Sequence, residues 1–219
     1  MFLRSSIKLF VIAGVIAATT GISINAADPV WAADEREVAV VEQVQGQATL
    51  DRTGSPRLLV VDASISRHDR LATGAGARLA LTFNDGSKLV LGENGRITIE
   101  DWRPEQGRSS GVLLLDLESG AVRLTAAKAK KAPDRRVELR TPVAVISVRG
   151  TDVWSGPIDS ATGVMVLAGA IEVRNDAGSV ALDKPHVGTI VRDRSSPPER
   201  ARGFGADQIM KAMGAIGFN

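Results

Sequence analysis

ARLALTFNDG, residues 77–86, is the stretch that decides the fold. Leu79, Leu81 and Phe83 alternate with Arg78, Ala80 and Thr82, which places three large apolar side chains on one face of an extended strand. Asn84-Asp85-Gly86 then turns the chain, because Asn-Asp-Gly sequences favour the positive backbone dihedrals of tight turns. The same device recurs on both sides of it. Ile97 and Ile99 alternate inward, as do Leu113, Leu115 and Leu117, then Val122 and Leu124, Val137 and Leu139, Ile171 and Val173, and Val180 and Leu182. Turn signals separate them at Glu93-Asn94-Gly95, Glu118-Ser119-Gly120, Asp159 to Gly163 and Asn175 to Gly178. Short strands at this spacing, with no helical period from 38 to 192, predict a single all-β domain. Small apolar residues and even spacing fit a β-solenoid or roll, while the lack of a strict repeat fits a sandwich equally well.

Composition agrees with short strands. The 219 residues include 22 Gly and nine Pro, and 44% are apolar, but only 4% are aromatic and none is Tyr. The core is therefore expected to consist of Val, Ile, Leu and Ala. With no Cys, disulfides, thiolate nucleophiles and Cys-based metal sites are excluded. The charges, 27 Lys plus Arg against 25 Asp plus Glu, are interspersed, which describes a solvated surface and not a nucleic-acid footprint. The densest basic run, Lys128 to Lys131 with Arg135 and Arg136, reads as an exposed loop.

The two ends depart from the β pattern. Arg4 and Lys8 precede an apolar run from Leu9 to Ile24 and a small-residue exit at Ala32-Ala33, which predicts a signal peptide over 1–32, cleaved after Ala32 or after Ala27. The alternative is a retained anchor, for which the run is short. The mature chain is expected to be periplasmic or secreted. The β domain is expected over 33–192. In 193–219, Ser195-Ser196-Pro197-Pro198 breaks the pattern, and Asp207 to Ile216 predicts a short helix with Ile209, Met210, Met213 and Ile216 toward one side. Such a tail packs back on its own domain or binds a partner.

No residue is assigned to catalysis, to a cofactor or to a metal. His68 and His186 are far apart and stand in turn-like settings, and no Gly-x-Ser-x-Gly elbow accompanies them. Thr73-Gly74-Ala75-Gly76-Ala77 fails as a phosphate loop, because a strand pattern follows it where a helix N-terminus is required. Asp85 and Asp101 could form an acid–base pair or hold Ca²⁺, but an Asp in Asn-Asp-Gly is first a turn former.

The run TPVAVISVRGTDVW, 141–154, ends a strongly apolar segment with polar residues. Pro142 is expected to begin a strand, Val143 to Val148 to be buried, and Gly150 to permit a bend. With its stem buried, Arg149 then needs a carboxylate or backbone carbonyls for its guanidinium, with Asp152 as a near candidate. Arg149→Ala is accordingly expected to lower thermal stability.

The order of these motifs resembles the FecR domain. Asp69-Arg70-Leu71-Ala72-Thr73-Gly74 leads into a strand and then Asp85-Gly86-Ser87; Gly120-Ala121-Val122, Thr141-Pro142-Val143-Ala144, Val148-Arg149-Gly150-Thr151 and Val164 to Val173 around Gly169 follow. The resemblance covers roughly Val44 to Val173. It implies a β-rich, solenoid-like periplasmic module, in which Asp69, Thr73, Gly74, Asp85, Gly86, Pro142, Arg149, Gly150, Thr151 and Gly169 are structural. It also implies regulators that relay a signal from an outer-membrane receptor to a cytoplasmic sigma factor. The eight residues before Leu9 and the short tail leave little room for either end of that relay. A non-enzymatic exported module that binds a protein or a cell-envelope polymer is therefore expected. The alternatives are a reduced sigma-factor regulator and an envelope-polysaccharide enzyme with a close carboxylate pair.

Overall fold

Five times in succession the chain runs out along one half of a sheet, bends at a left-handed residue and continues into the other half. The computed structural model describes residues 37–104, 111–127 and 135–218, with the side chains of Arg149 and Thr151 also outside the description. The five passages are β1 (Glu37–Gln45) with β2 (Ala48–Asp51), β3 (Arg57–Leu58) with β4 (Ser64–Ser66), β5 (Arg70–Thr73) with β6 (Arg78–Phe83), β7 (Lys88–Leu91) with β8 (Arg96–Arg103), and β9 (Val112–Ser119) with β10 (Val122–Thr125). Between the partners stand Gly46 (φ 71°), Asp62 (65°), Gly76 (66°), Asn94 (50°) and Gly120 (84°). A left-handed residue reverses the pleat locally, so five in line crease the sheet.

The crease divides the sheet into two wings. Wing A has the strand order β3-β2-β5-β8-β9, and wing B the order β4-β1-β6-β7-β10, so the passages stack identically in both. All pairs within them are antiparallel. β11 (Arg136–Arg140) then joins wing A parallel to β9. β12 (Val145–Ile158) and β13 (Ala161–Asn175) form a long hairpin; the first half of β12 pairs with β11 and its second half with β10. The expected turn within 141–154 is therefore a bend in one continuous strand. The register shifts between Arg149 and Val153 opposite Gly169, with Gly150 at φ 59° and Gly169 at φ 83°. Pro142 does not start the strand either. It sits in the β11–β12 turn, where the Thr141 amide donates to the Ala144 carbonyl at 2.8 Å, a position that suits a fixed φ.

The inward faces of the two wings share one core. Leu79, Leu81, Phe83, Leu89, Leu91, Val122 and Leu124 of wing B meet Leu50, Leu71, Ile97, Ile99, Leu113, Leu115 and Leu139 of wing A. All are at most 1% exposed, as the period of two predicts. The all-β expectation holds: one curled sheet carries a single short helix among the described residues.

The last elements extend the sheet beyond β13 on both halves, and α1 covers the outside of wing B. β14 (Gly178–Leu182) and β15 (Val187–Val191) pair with β13, β16 (Arg202–Gly203) pairs with β15, and α1 (Ala206–Ile216) packs against β12. A second apolar cluster forms there from Trp154, Met165, Ile190 and Phe204 with Ala212 and Ile216 of α1. Ile209 and Met213 pack against it as expected, but Met210 points to solvent at 65% exposure. α1 has no basic residue in its last turn. Arg78 of β6 supplies the cation instead, donating to the Gly214 carbonyl at 3.2 Å.

Candidate functional site

The motif residues divide between the crease and the mouth opposite it. At the crease, Thr73 Oγ1 donates to the Gly92 carbonyl at 2.5 Å and accepts from the Gly95 amide at 2.9 Å. The Gly74 amide donates to Gln47 and the Gly74 carbonyl accepts from Asn94, so passages one, three and four are tied in a row. At the mouth, residues 67–69 cross from wing B to wing A. Asp69, fully buried, accepts from Arg52 Nε and an Arg52 terminal nitrogen at 2.7 Å each and from the Ser66 amide at 2.8 Å. Asp85 accepts from the Ser87 amide at 2.7 Å, with Gly86 at φ 85° closing that turn. Its other oxygen takes Arg135, whose side chain is only 8% exposed. Arg135 thus belongs to a second clasp across the mouth and not to an exposed loop; Lys128 to Lys131 lie outside the described residues.

Other arginine–carboxylate pairs stud the outer face. Asp152, the expected partner of Arg149, is taken by Arg123, at 2.9 Å from Nε and 2.5 Å from a terminal nitrogen. That bond raises the Arg123 pKa above its ordinary value against the opposing effect of burial. The side chains of Arg149 and Thr151 lie outside the described residues. Glu138, 9% exposed in its side chain, accepts from Arg136 at 3.0 and 3.1 Å. This bond lowers the Glu138 pKa despite burial, and the nearby charges of Arg136, Arg140 and Arg174 add to the effect.

The groups weighed for chemistry are placed apart from one another. His68 and His186 adopt φ 67° and 60°, and their amides bond to the Ile99 and Val166 carbonyls, so both are turn residues. Asp85, Asp101 and Asp152 each hold a different arginine: Arg135, Arg103 and Arg123. Among the described residues no group of three or more His, Asp or Glu could hold a metal ion.

Two surface features remain. The first is the free edge of β3, which pairs only with β2 among the described residues. The Leu59 amide bonds to the Ala48 carbonyl, so alternation turns the amide and carbonyl of Leu58 outward. Leu58, Val60 and Val61 are 67%, 65% and 50% exposed beside that edge, whereas exposed edges are ordinarily blunted by charge.

The second is a run of three adjoining clefts of about 360, 300 and 300 Å³ on wing A and its crease end, joined through Thr141 and Glu118. Six arginines line them: Arg70, Arg96, Arg140, Arg174, Arg192 and Arg194. They come from β5, β8, β11, β13 and the segment after β15, so sequence inspection sees only interspersed charge. The available signal is weak: Arg at 136 and 140 around Glu138, and Arg174 after Glu172, mark outward positions of exposed strands.

Comparison with known proteins places this architecture. No curated protein matches the chain at a significant level. Two crystal structures described as a "putative anti-sigma factor" from Parabacteroides distasonis share the fold, at 18% identity and a TM-score of 0.51, over 64% of this chain. The chain spans 62% of that protein's length. Residues 69–172, from the buried Asp69 at the mouth to the end of the β12–β13 bend, match the model of the FecR protein family. This segment is a FecR-domain match, consistent with a FecR-domain family protein.

Proposed function

We propose that this protein is a non-catalytic, exported regulatory module of the cell envelope that works by binding a partner protein. The observation that carries this reading is the β3 edge, where an outward-facing backbone and exposed Leu58, Val60 and Val61 lie together on a FecR-domain scaffold. An extended partner segment adds to such an edge through main-chain hydrogen bonds and seats its apolar side chains on those three. The FecR family and the anti-sigma designation of the fold neighbour support a regulatory role. The charge order of residues 4–33 supports export.

A photocrosslinking residue at position 60, in the full chain expressed in its native envelope, tests the reading. One discrete adduct is expected from position 60, none from position 210 on the exposed side of α1, and loss of the adduct in Leu58→Asp with an unchanged Tm. Folded, abundant protein that gives no position-specific adduct refutes partner binding at this edge. The N-terminus of the recovered protein tests export: a start at Ala33 or Asp28 supports it, and an uncleaved N-terminus supports the retained anchor instead.

A further inference from the structure

Across wing A, one line of registered residues crosses six strands. Arg70 pairs with Thr98, Thr98 with Asp116, Asp116 with Arg140, Arg140 with Val145, and Val145 with Arg174. All six point outward, because their neighbours Leu71, Ile97, Leu115, Leu139, Ile146 and Val173 are buried in the core. Five strand spacings of about 4.8 Å make the line about 24 Å long. Thr98, 8% exposed, and the half-buried Val145 form low points between the long arginines, and Val145 lines the cleft that Arg140 and Arg174 flank.

The arginines of this line have donors to spare. Neither Arg70 nor Arg174 makes an ion pair with a described residue, and the contact of Arg140 with Glu138 is long, at 3.8 Å. Planar guanidinium groups bind carboxylates in pairs of parallel hydrogen bonds, which lysines cannot do. The line is not uniformly basic, however. Asp116 lies between Arg70 and Arg140 and makes no ion pair with a described residue. It repels a carboxylate there, and Asp176 beside Arg174 and Asp51 and Glu118 in the cleft of Arg70 bound the basic line at its margins, so the line discriminates by spacing as well as by charge.

We infer that this arginine line on wing A is a docking groove for an extended acidic segment of a partner protein, read by the spacing of its carboxylates. The inference rests on the partner-binding function proposed above and names the chemistry of the partner. Arg70 and Arg140 are three strands apart, about 14 Å, and Arg140 and Arg174 two strands, about 10 Å. An extended chain advances about 3.3 Å per residue. Alternate side chains of an extended segment face opposite ways, so carboxylates on the groove side stand at even separations, and the matching segment carries them about four and then four positions apart, with a neutral or basic residue opposite Asp116.

Fluorescence anisotropy on the full-length protein tests this. The probe is a labelled synthetic peptide with Glu at positions i, i+4 and i+8 in a Ser/Gly background. The expected results are saturable binding that weakens with salt, and a loss of about tenfold or more in Arg140→Gln and in Arg174→Gln. Arg103→Gln, on another row of the same face, leaves affinity unchanged. Equal affinity for a peptide of the same charge with its Glu residues contiguous overturns the spacing claim, and equal loss in Arg103→Gln overturns the groove. Tighter binding of inorganic polyphosphate with the same arginine dependence overturns the peptide as ligand. Absence of peptide binding while position 60 still crosslinks a partner overturns the groove alone and leaves the proposed function standing.

Discussion

Replacing Asp69 by Ala removes the clasp between the outer ends of the two wings. The carboxylate is fully buried and serves three donors, two from Arg52 and the backbone amide of Ser66. Truncation leaves the Ser66 amide without a partner in a residue that is 6% exposed, at about 1–3 kcal/mol. It also removes the carboxylate partner of a guanidinium that is 44% exposed and keeps its bond to Ser66 Oγ, so the Arg52 side of the loss falls well short of that for a fully buried pair, which is about 3–5 kcal/mol. Together these give about 3–4 kcal/mol, a large share of a typical 5–15 kcal/mol total. For a domain of this size that is a fall in Tm of about 10 °C. Urea unfolding of wild type, Asp69→Ala, Arg52→Ala and the double variant measures both the loss and the coupling, expected near 2 kcal/mol. A loss below about 1 kcal/mol, with additive single effects, would refute the clasp.

Other substitutions probe the crease, the helix and the outer face. Thr73→Val removes both Oγ1 bonds at the crease and should cost about 2 kcal/mol by denaturant unfolding, while Thr73→Ser retains most of the stability. Arg78→Met removes the cation at the C-terminal end of α1. Hydrogen exchange should then quicken in 206–216 by about tenfold or more with the wings unchanged, and uniform quickening would count against a local role. The folded-state pKa of Glu138 is depressed, chiefly by its bond to Arg136. Its contribution is therefore present above the ordinary Glu value of about 4.3 and is lost as pH falls through the lower folded value. Glu138→Gln should flatten the acid limb of the stability curve, and parallel curves for the two proteins would refute the assignment.

Much of the fold is legible in the sequence because period-two alternation records which side of a strand is wet. Leu79, Leu81, Phe83, Leu113 and Leu115 all fall where alternation puts them. The crease is less legible. Asn94 and Gly120 read as turn residues, yet the chain there continues from one wing into the other instead of reversing along its own strand. The helical pattern groups Met210 with the apolar side of α1, although only Ala212 and Ile216 are buried there. Proximity in sequence matches Asp152 to Arg149, whereas the pairing of β10 with β12 sets it opposite Thr125 and within diagonal reach of Arg123, 29 residues away. The arginine line escapes sequence inspection for the same reason: Arg70, Arg140 and Arg174 become neighbours only through the pairing of β5, β8, β9, β11, β12 and β13.

The identical stacking of the five passages in both wings has a mechanical consequence. Each passage touches the one before and the one after it in the stack and hardly any other, so cohesion is close to a sum of neighbour terms along one axis. A defect in one passage then loosens the shorter segment between it and the nearer end, and leaves the remainder assembled. The end formed by β3 and β4 holds by a single passage, whereas the far end is covered by the long hairpin and α1. Fraying should therefore be polar, beginning at residues 57–66, and a segment bound along that edge would act as the missing end-cap, stiffening the whole stack from one side.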